Sequence, residues 1–155
     1  MKYFNNVAIS VFAKPEDDAE KLKQGILALV PLNLEQEKLE LQDQKAQGFN
    51  ERTIHIYTIL LEKERHINHF LDFLLSHLTH QQRHQLVREA ETRLDMDLTF
   101  FVRIDKDIWA NDSAVMLTDS GNCYHLKFAV AAFPRKRDIA LGIVTNVFKA
   151  APFNQ

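Results

Sequence analysis

Alternating apolar residues at Val7, Ile9 and Val11 predict a first strand. A helix is expected to open at Pro15, Glu16, Asp17 and Asp18, with proline at its first position and acids in its first turn. Its core face is Ala19, Leu22, Ile26, Leu29 and Val30, and Pro31 ends it. Two strands are predicted next, over residues 38–44 and 52–61, joined by Gly48, Phe49 and Asn50 as a hairpin connection. Over residues 63–78, Ile67, Phe70, Leu71, Leu74, Leu75 and Leu78 recur at spacings of three and four, the signature of an amphipathic helix. Thr79 with Gln82 forms a capping box for a second helix, which buries Leu86, Val87, Ala90 and Leu94. A strand over 98–104, an irregular stretch around Trp109, a turn at Asp119-Ser120-Gly121-Asn122 and a strand over 123–133 follow. The last helix is expected to bury Ile139, Ile143, Val147 and Phe148.

The order β-α-β-β-α-α-β-(β)-β-α predicts a single α+β domain over residues 1–155, a mixed or antiparallel sheet with helices covering one face. The other face is then open, and the period of two predicts its occupants. In the third strand Ile54, Ile56 and Leu60 oppose His55 and Tyr57. In the strand over 98–104, Leu98, Phe100, Val102 and Ile104 oppose Thr99, Phe101 and Arg103. In the strand over 123–133, Tyr124, Leu126, Phe128 and Val130 oppose His125 and Lys127. His55, Tyr57, Phe101, Arg103, His125 and Lys127 are therefore expected together on the open face. Aromatic rings interleaved with cations suit RNA, because splayed bases stack on rings while Lys and Arg neutralise phosphates. The alternatives are an ordinary half-exposed sheet surface and a protein interface, including one between two copies of the chain.

Charge sharpens this picture. The chain carries a formal net charge of −2, which opposes polyanion binding as a whole. Residues 121–155, however, hold Lys127, Arg135, Lys136, Arg137 and Lys149 against the single acid Asp138. Three of these cations stand at the start of the last helix, where unpaired N–H groups and the helix dipole disfavour positive charge by about 0.3–1 kcal/mol each. A bound phosphate would relieve that conflict, taking the guanidinium groups and the free N–H groups together; solvation of the three side chains, with Asp138 beside them, is the plainer explanation. Phe49 and Arg52 in the hairpin connection offer a second contact, with Phe49 stacking on a base or folding back into the core, and Arg52 binding phosphate or pairing with Glu51 or Glu62.

The length and the hydrophobic share of 46% are enough for one substantial core. A single cysteine, Cys123, excludes an intramolecular disulfide and leaves a reducing cytoplasm as the expected location. The apolar run over 7–13 is too short to span a bilayer, and the acidic stretch after it lacks a signal-peptide cleavage pattern.

The stretches VAISVFAKP (7–15), GFNER (48–52), LEKERHIN (61–68), LTDSGNCYH (117–125) and AFPRKR (132–137) resemble an archaeal protein family described as RNA-binding or as a predicted exosome subunit. The resemblance runs nearly end to end. It implies a single domain with a fold similar to the ribosomal protein that carries 5S ribosomal RNA, and RNA binding without an enzymatic activity. It brings no catalytic or ligand residues with it.

Other chemistry is weakly signalled. His80 and His84 share a helix face with His77 nearby, yet no glutamate follows His80 and no cysteine accompanies them, so no metal is expected. The acid pairs Asp95/Asp97 and Asp105/Asp107 bracket one strand, and eight residues at about 3.3 Å each hold Asp97 and Asp105 roughly 26 Å apart, too far for a two-metal centre. No glycine loop for phosphate is present, and no cofactor is expected. The sequence thus points to a non-catalytic RNA-binding protein, an accessory factor in RNA processing or degradation and associated with an exosome if the resemblance holds. The candidate contacts are Arg135, Lys136, Arg137, Lys127, His125, Arg103, Phe101, Tyr57, His55, Arg52 and Phe49. The alternative is a homodimerising or partner-binding subunit that uses the open face.

Overall fold

The structure is a computed structural model that describes residues 2–47 and 52–149. Its strands are β1 (Phe4–Ala13), β2 (Gln42–Gln47), β3 (Thr53–Leu61), β4 (Thr99–Asp105) and β5 (Cys123–Val130). Its helices are α1 (Ala19–Leu29), α2 (Leu34–Glu37), α3 (Glu64–His77), α4 (His80–Arg88), α5 (Ala90–Arg93), α6 (Lys106–Asp112) and α7 (Arg137–Lys149). The strands form one sheet in the order β2-β3-β1-β5-β4, antiparallel at every pairing. The expected α+β domain with one open sheet face is what forms.

Strand register builds the core. Val7, Ile9 and Val11 of β1 pair with Leu61, Ile59 and Tyr57 of β3 on one side, and with Phe128, Leu126 and Tyr124 of β5 on the other. Phe100, Val102 and Ile104 of β4 extend these rows. All are buried beneath the helices. The helical layer adds Leu22, Ile26 and Leu29 of α1, Ile67, Phe70, Leu71 and Leu74 of α3, and Ala140, Val144, Val147 and Phe148 of α7. At about 1.5–3 kcal/mol for each large apolar side chain, this burial is the main stabilising term.

Several boundaries differ from the sequence expectation. Helix α1 starts at Ala19 with Asp18 as its N-cap, accepting from the Lys21 N–H at 3.2 Å, so Pro15 to Asp17 form a turn ahead of it. Asp17 is used elsewhere: it accepts from the Lys14 N–H and from the buried Lys106 ammonium, each at 2.9 Å. Residues 34–37, expected at the approach to a strand, are the short helix α2, capped by Asn33, and β2 begins only at Gln42. The Trp109 stretch is the helix α6, capped by Asp105. Thr79 and Gln82 make the expected capping box. The buried face of α7 turns one residue from the expected one, onto Ala140 and Val144 in place of Ile139 and Ile143, which stay half-buried. The hairpin connection Gly48-Phe49-Asn50, and with it the candidate Phe49, lies outside the described residues.

Two aromatic side chains fasten α1 to the rest. The Trp109 indole donates to the Gly25 carbonyl at 2.8 Å, and the Tyr124 hydroxyl donates to the Leu22 carbonyl at 2.9 Å. Gly25 is required there, because a Cβ at this position would run into the Tyr124 hydroxyl and lie 2.9 Å from its Cζ. The outermost strand β2 is different in kind. All six of its residues are exposed, and it pairs only with β3.

Candidate nucleic-acid interface

The open face is built by the residues that alternate with the core. On β4 and β5 the expected assignment holds: Phe101 pairs with Lys127 and Arg103 with His125, and all four belong to the uncovered side. The Phe101 and His125 rings lie 5.4 Å apart with a 32° tilt. Arg103 donates to the Asp119 carbonyl at 3.1 Å. Lys127 is exposed.

On β3 the expected face is reversed. Tyr57 is buried, 5% exposed, against Val11, and His55 lies on the same covered side, opposite Ala13. The His55 Nδ1 lies 3.0 Å from an Asp43 carboxylate oxygen of β2, within hydrogen-bond distance. Neither residue joins Phe101 and Arg103. Ile54, Ile56, Thr58 and Leu60 take their place on the open face, next to Ala8, Ser10 and Phe12 of β1. Phe12 is 52% exposed and Leu60 38%. The open face is therefore divided, aliphatic over β3 and β1 and cationic-aromatic over β5 and β4.

His125 enters this face as a neutral imidazole. Burial, with the neighbouring Lys127 and Arg103 charges, pushes its pKa down to about 4, and its Nε2 is buried without a partner among the described residues. It serves as a flat ring more than as a cation.

The three cations before α7 are not equivalent. Arg135 donates to the Asp97 carbonyl at 3.1 Å, and Arg137 donates to the carbonyls of Glu91 at 2.6 Å and Asp95 at 3.3 Å. Their charge thus meets the carbonyl end of α5 and the loop beyond it, which accounts for cations at a helix start without any bound anion. Lys136 is exposed and has no side-chain partner among the described residues. Beside them stand two almost fully exposed apolar side chains, Met96 at 95% and Phe133 at 94%. Arg52, nominated with Phe49, is ion-paired with Glu16 at 2.9 Å, both exposed.

The rival groups have structural employment. Asp95 accepts from the N–H groups of Asp97 and Thr99, Asp105 caps α6, and Asp107 accepts from the Asn122 amide. His77 packs on Phe73 and Trp109. Burial raises the Cys123 thiol above its ordinary pKa, away from thiolate reactivity. Among the described residues, no group of three or more His, Cys, Asp or Glu is placed to hold a metal ion, and no helix is long and apolar enough to cross a membrane.

A family model described as RNA binding matches residues 6–130, the sheet but for the first two residues of β1. The chain belongs to this RNA-binding family. The chain is also similar to the RNA-binding protein PAB1135 of Pyrococcus abyssi, 26% identical over 140 residues, 90% of each chain. Two archaeal structures share the fold: AF2318 of Archaeoglobus fulgidus (TM-score 0.78, 23% identity, 94% of this chain and 98% of that one) and Mth689 of Methanothermobacter thermautotrophicus (0.75, 20%, 95% and 99%). The matched span of this RNA-binding-family protein contains Phe101, Arg103, His125 and Lys127 and stops short of the cations at 135–137.

Sequence reasoning missed one feature beside this face. A cleft of about 410 Å³ opens beside the outer edge of β4, lined by Glu89, Thr92 and Arg93 as well as Phe101, Arg103 and Asp119. Arg93 is ion-paired with Glu89 at 2.7 Å, and its guanidinium reaches the Phe101 carbonyl at 3.5 Å. The hydrogen bonds from Arg93 hold the Glu89 carboxyl below the ordinary carboxylate range. The i, i+4 spacing of Glu89 and Arg93 was available in the sequence, but only the fold sets that pair against β4.

Proposed function

We propose that this chain binds RNA across the β5–β4 half of its open sheet face, by association and without a reaction of its own. One observation carries the reading: the β4–β5 register sets Phe101 beside Lys127 and Arg103 beside His125, so that two neighbouring rings are bracketed by two cations on an uncovered surface. A base stacked on such a ring contributes about 1–3 kcal/mol, and the cations neutralise the phosphates on either side of it. Lys136 continues the basic path past the end of β5, while Arg135 and Arg137 brace the turn that presents it. Membership of a family described as RNA binding supports the same ligand. The sequence resemblance carries the reading further, to an accessory factor in RNA processing or degradation, attached to an exosome and related in fold to the 5S ribosomal RNA carrier.

Fluorescence anisotropy with a labelled RNA across a salt series tests the binding itself. Lys127 and Lys136 are the clean positions, since neither side chain has a partner among the described residues. Lys127→Ala with Lys136→Ala is expected to weaken binding and to lower the log–log salt slope by about 1.4, at about 0.7 for each lost contact to single-stranded phosphate. A slope equal to that of the native chain sinks the proposal.

The aliphatic half of the face favours a second reading alongside the first, in which two copies of the chain meet over Phe12, Ile56 and Leu60. Sedimentation of the native chain and of Phe12→Ser decides it: a concentration-dependent dimer lost in the variant supports the contact, and a native monomer throughout removes it.

A further inference from the structure

The cleft beside β4 lies in a gap along the strand's outer edge. Two isolated bridges flank the gap, Leu94 with Phe100 on one side and Ile104 with Leu117 on the other. Phe101 and Arg103, the two open-face residues of β4 between those bridges, both reach into it. The cleft therefore continues the cationic-aromatic half of the sheet face around the edge of the sheet.

Its volume of about 410 Å³ falls within the range of small-ligand pockets. Its lining includes three side chains that end in flat groups, Phe101, Arg93 and Arg103. Such planes stack on nucleobases. The Glu89 carboxylate, kept ionised by Arg93, only accepts hydrogen bonds, which suits the amino and ring N–H groups that a base exposes when it is not paired. The charges of Glu89 and Asp119 on the walls balance those of Arg93 and Arg103, while Lys127, outside the lining, is the exposed cross-strand partner of Phe101 on the open face. A base inside a continuous duplex has its faces stacked and its edge paired, so it enters such a cleft only after being turned out, at the cost of unstacking.

We propose that this cleft receives one unpaired nucleotide of the bound RNA, its base against Phe101 and its phosphate by Lys127 and Arg103, so that the ligand class is single-stranded or bulged RNA in preference to continuous duplex. This rests on the RNA-binding reading above.

The test compares three labelled RNAs at one salt concentration: a short single strand, a blunt duplex, and the same duplex with one bulged nucleotide carrying 2-aminopurine. The native chain is expected to bind the single strand and the bulge at least about fivefold more tightly than the blunt duplex, and to change the 2-aminopurine emission on stacking. Thr92→Trp fills the cleft from an exposed position, and it should reduce binding of the single strand and the bulge about 5- to 150-fold while leaving the duplex affinity unchanged. Phe101→Leu, which keeps an apolar side chain without the ring, gives the same pattern by a second route. Excess free nucleoside monophosphate is expected not to displace the RNA, because it lacks the neighbouring phosphates. Equal binding of the three RNAs, or variants that bind them as the native chain does, overturns the cleft assignment and leaves RNA binding standing. No binding of any RNA at low salt overturns both.

Discussion

Lys106 gives the sharpest stability test in the fold. Its side chain is 2% exposed and its ammonium contacts two groups, the Asp17 carboxylate at 2.9 Å and the Phe12 carbonyl at 3.1 Å, tying α6 to β1 and to the turn before α1. Two unit charges this close attract by about 6 kcal/mol at an effective dielectric of about 20, against which stands the loss of water from the ammonium. The two partners differ in exposure, since Asp17 keeps 22% of its side chain in solvent. Asp17→Asn leaves a buried cation facing two neutral acceptors and is expected to cost about 3–5 kcal/mol, whereas Lys106→Met leaves a carboxylate that water and the Lys14 N–H still serve, for about 1–2 kcal/mol. In a chain of this length the first loss corresponds to a fall in Tm of about 6–20 °C and the second to a few degrees. Lys106→Met should also rescue Asp17→Asn, because the double variant no longer buries a charge. Thermal and urea unfolding of the three variants provide the numbers. Equal losses in the two single variants, or a double variant worse than Asp17→Asn, would refute the reasoning. The pH dependence has a fixed sign. Burial works against the Asp17 carboxylate, but the hydrogen bonds from Lys106 and Lys14 outweigh it and hold the pKa below 3.8, so the contribution is complete above that value and lost as pH falls through the lower folded pKa.

Two further outcomes are expected. Gly25→Ala gains about 1 kcal/mol of helix propensity but drives a methyl group into Tyr124, for a net loss of about 1–3 kcal/mol; an unchanged or raised Tm contradicts the close approach. His125, with a folded pKa of about 4 against 6.5 for the free side chain, supports the fold fully above pH 6.5 and progressively less towards pH 4, by about 1–3 kcal/mol once its partial exposure is allowed for. Urea midpoints of the native chain should therefore fall over this range more steeply than those of His125→Gln, and parallel curves would mean that the imidazole is not held neutral.

What the sequence made legible follows from how one-sided each pattern is. β4 and β5 alternate cleanly, large apolar with polar or charged, so the period of two was enough to place Phe101, Arg103, His125 and Lys127. β3 reads Thr-Ile-His-Ile-Tyr-Thr-Ile-Leu-Leu, with apolar residues on both faces, and its orientation is decided by partners: Tyr57 meets Val11 and Ile59 meets Ile9. Tertiary pairing overrode the local pattern there, which is why Tyr57 and His55 lie on the covered side of the sheet and not on the open face. The short helices α2 and α6 each follow a capping residue, Asn33 and Asp105, a signal present in the chain but outweighed by their few apolar positions. The cations at 135–137 stood out as a broken rule, and the carbonyls that answer them come from a loop about forty residues earlier, beyond the reach of any local argument. The cleft was hidden for the same reason, since its walls meet only through topology.

The polar outer strand β2 carries a consequence of its own. With every side chain exposed on both faces, a shift of β2 against β3 by two residues would uncover no apolar surface, and register rests on the ladder together with the Asp43–His55 hydrogen bond. Its outward row of N–H and C=O groups is shielded from other sheets by charge and solvation instead of by cover. Amide exchange should therefore be graded across the sheet, with β2 opening well before the central β1 and β5, so that the molecule loosens from the edge farthest from its cationic-aromatic half.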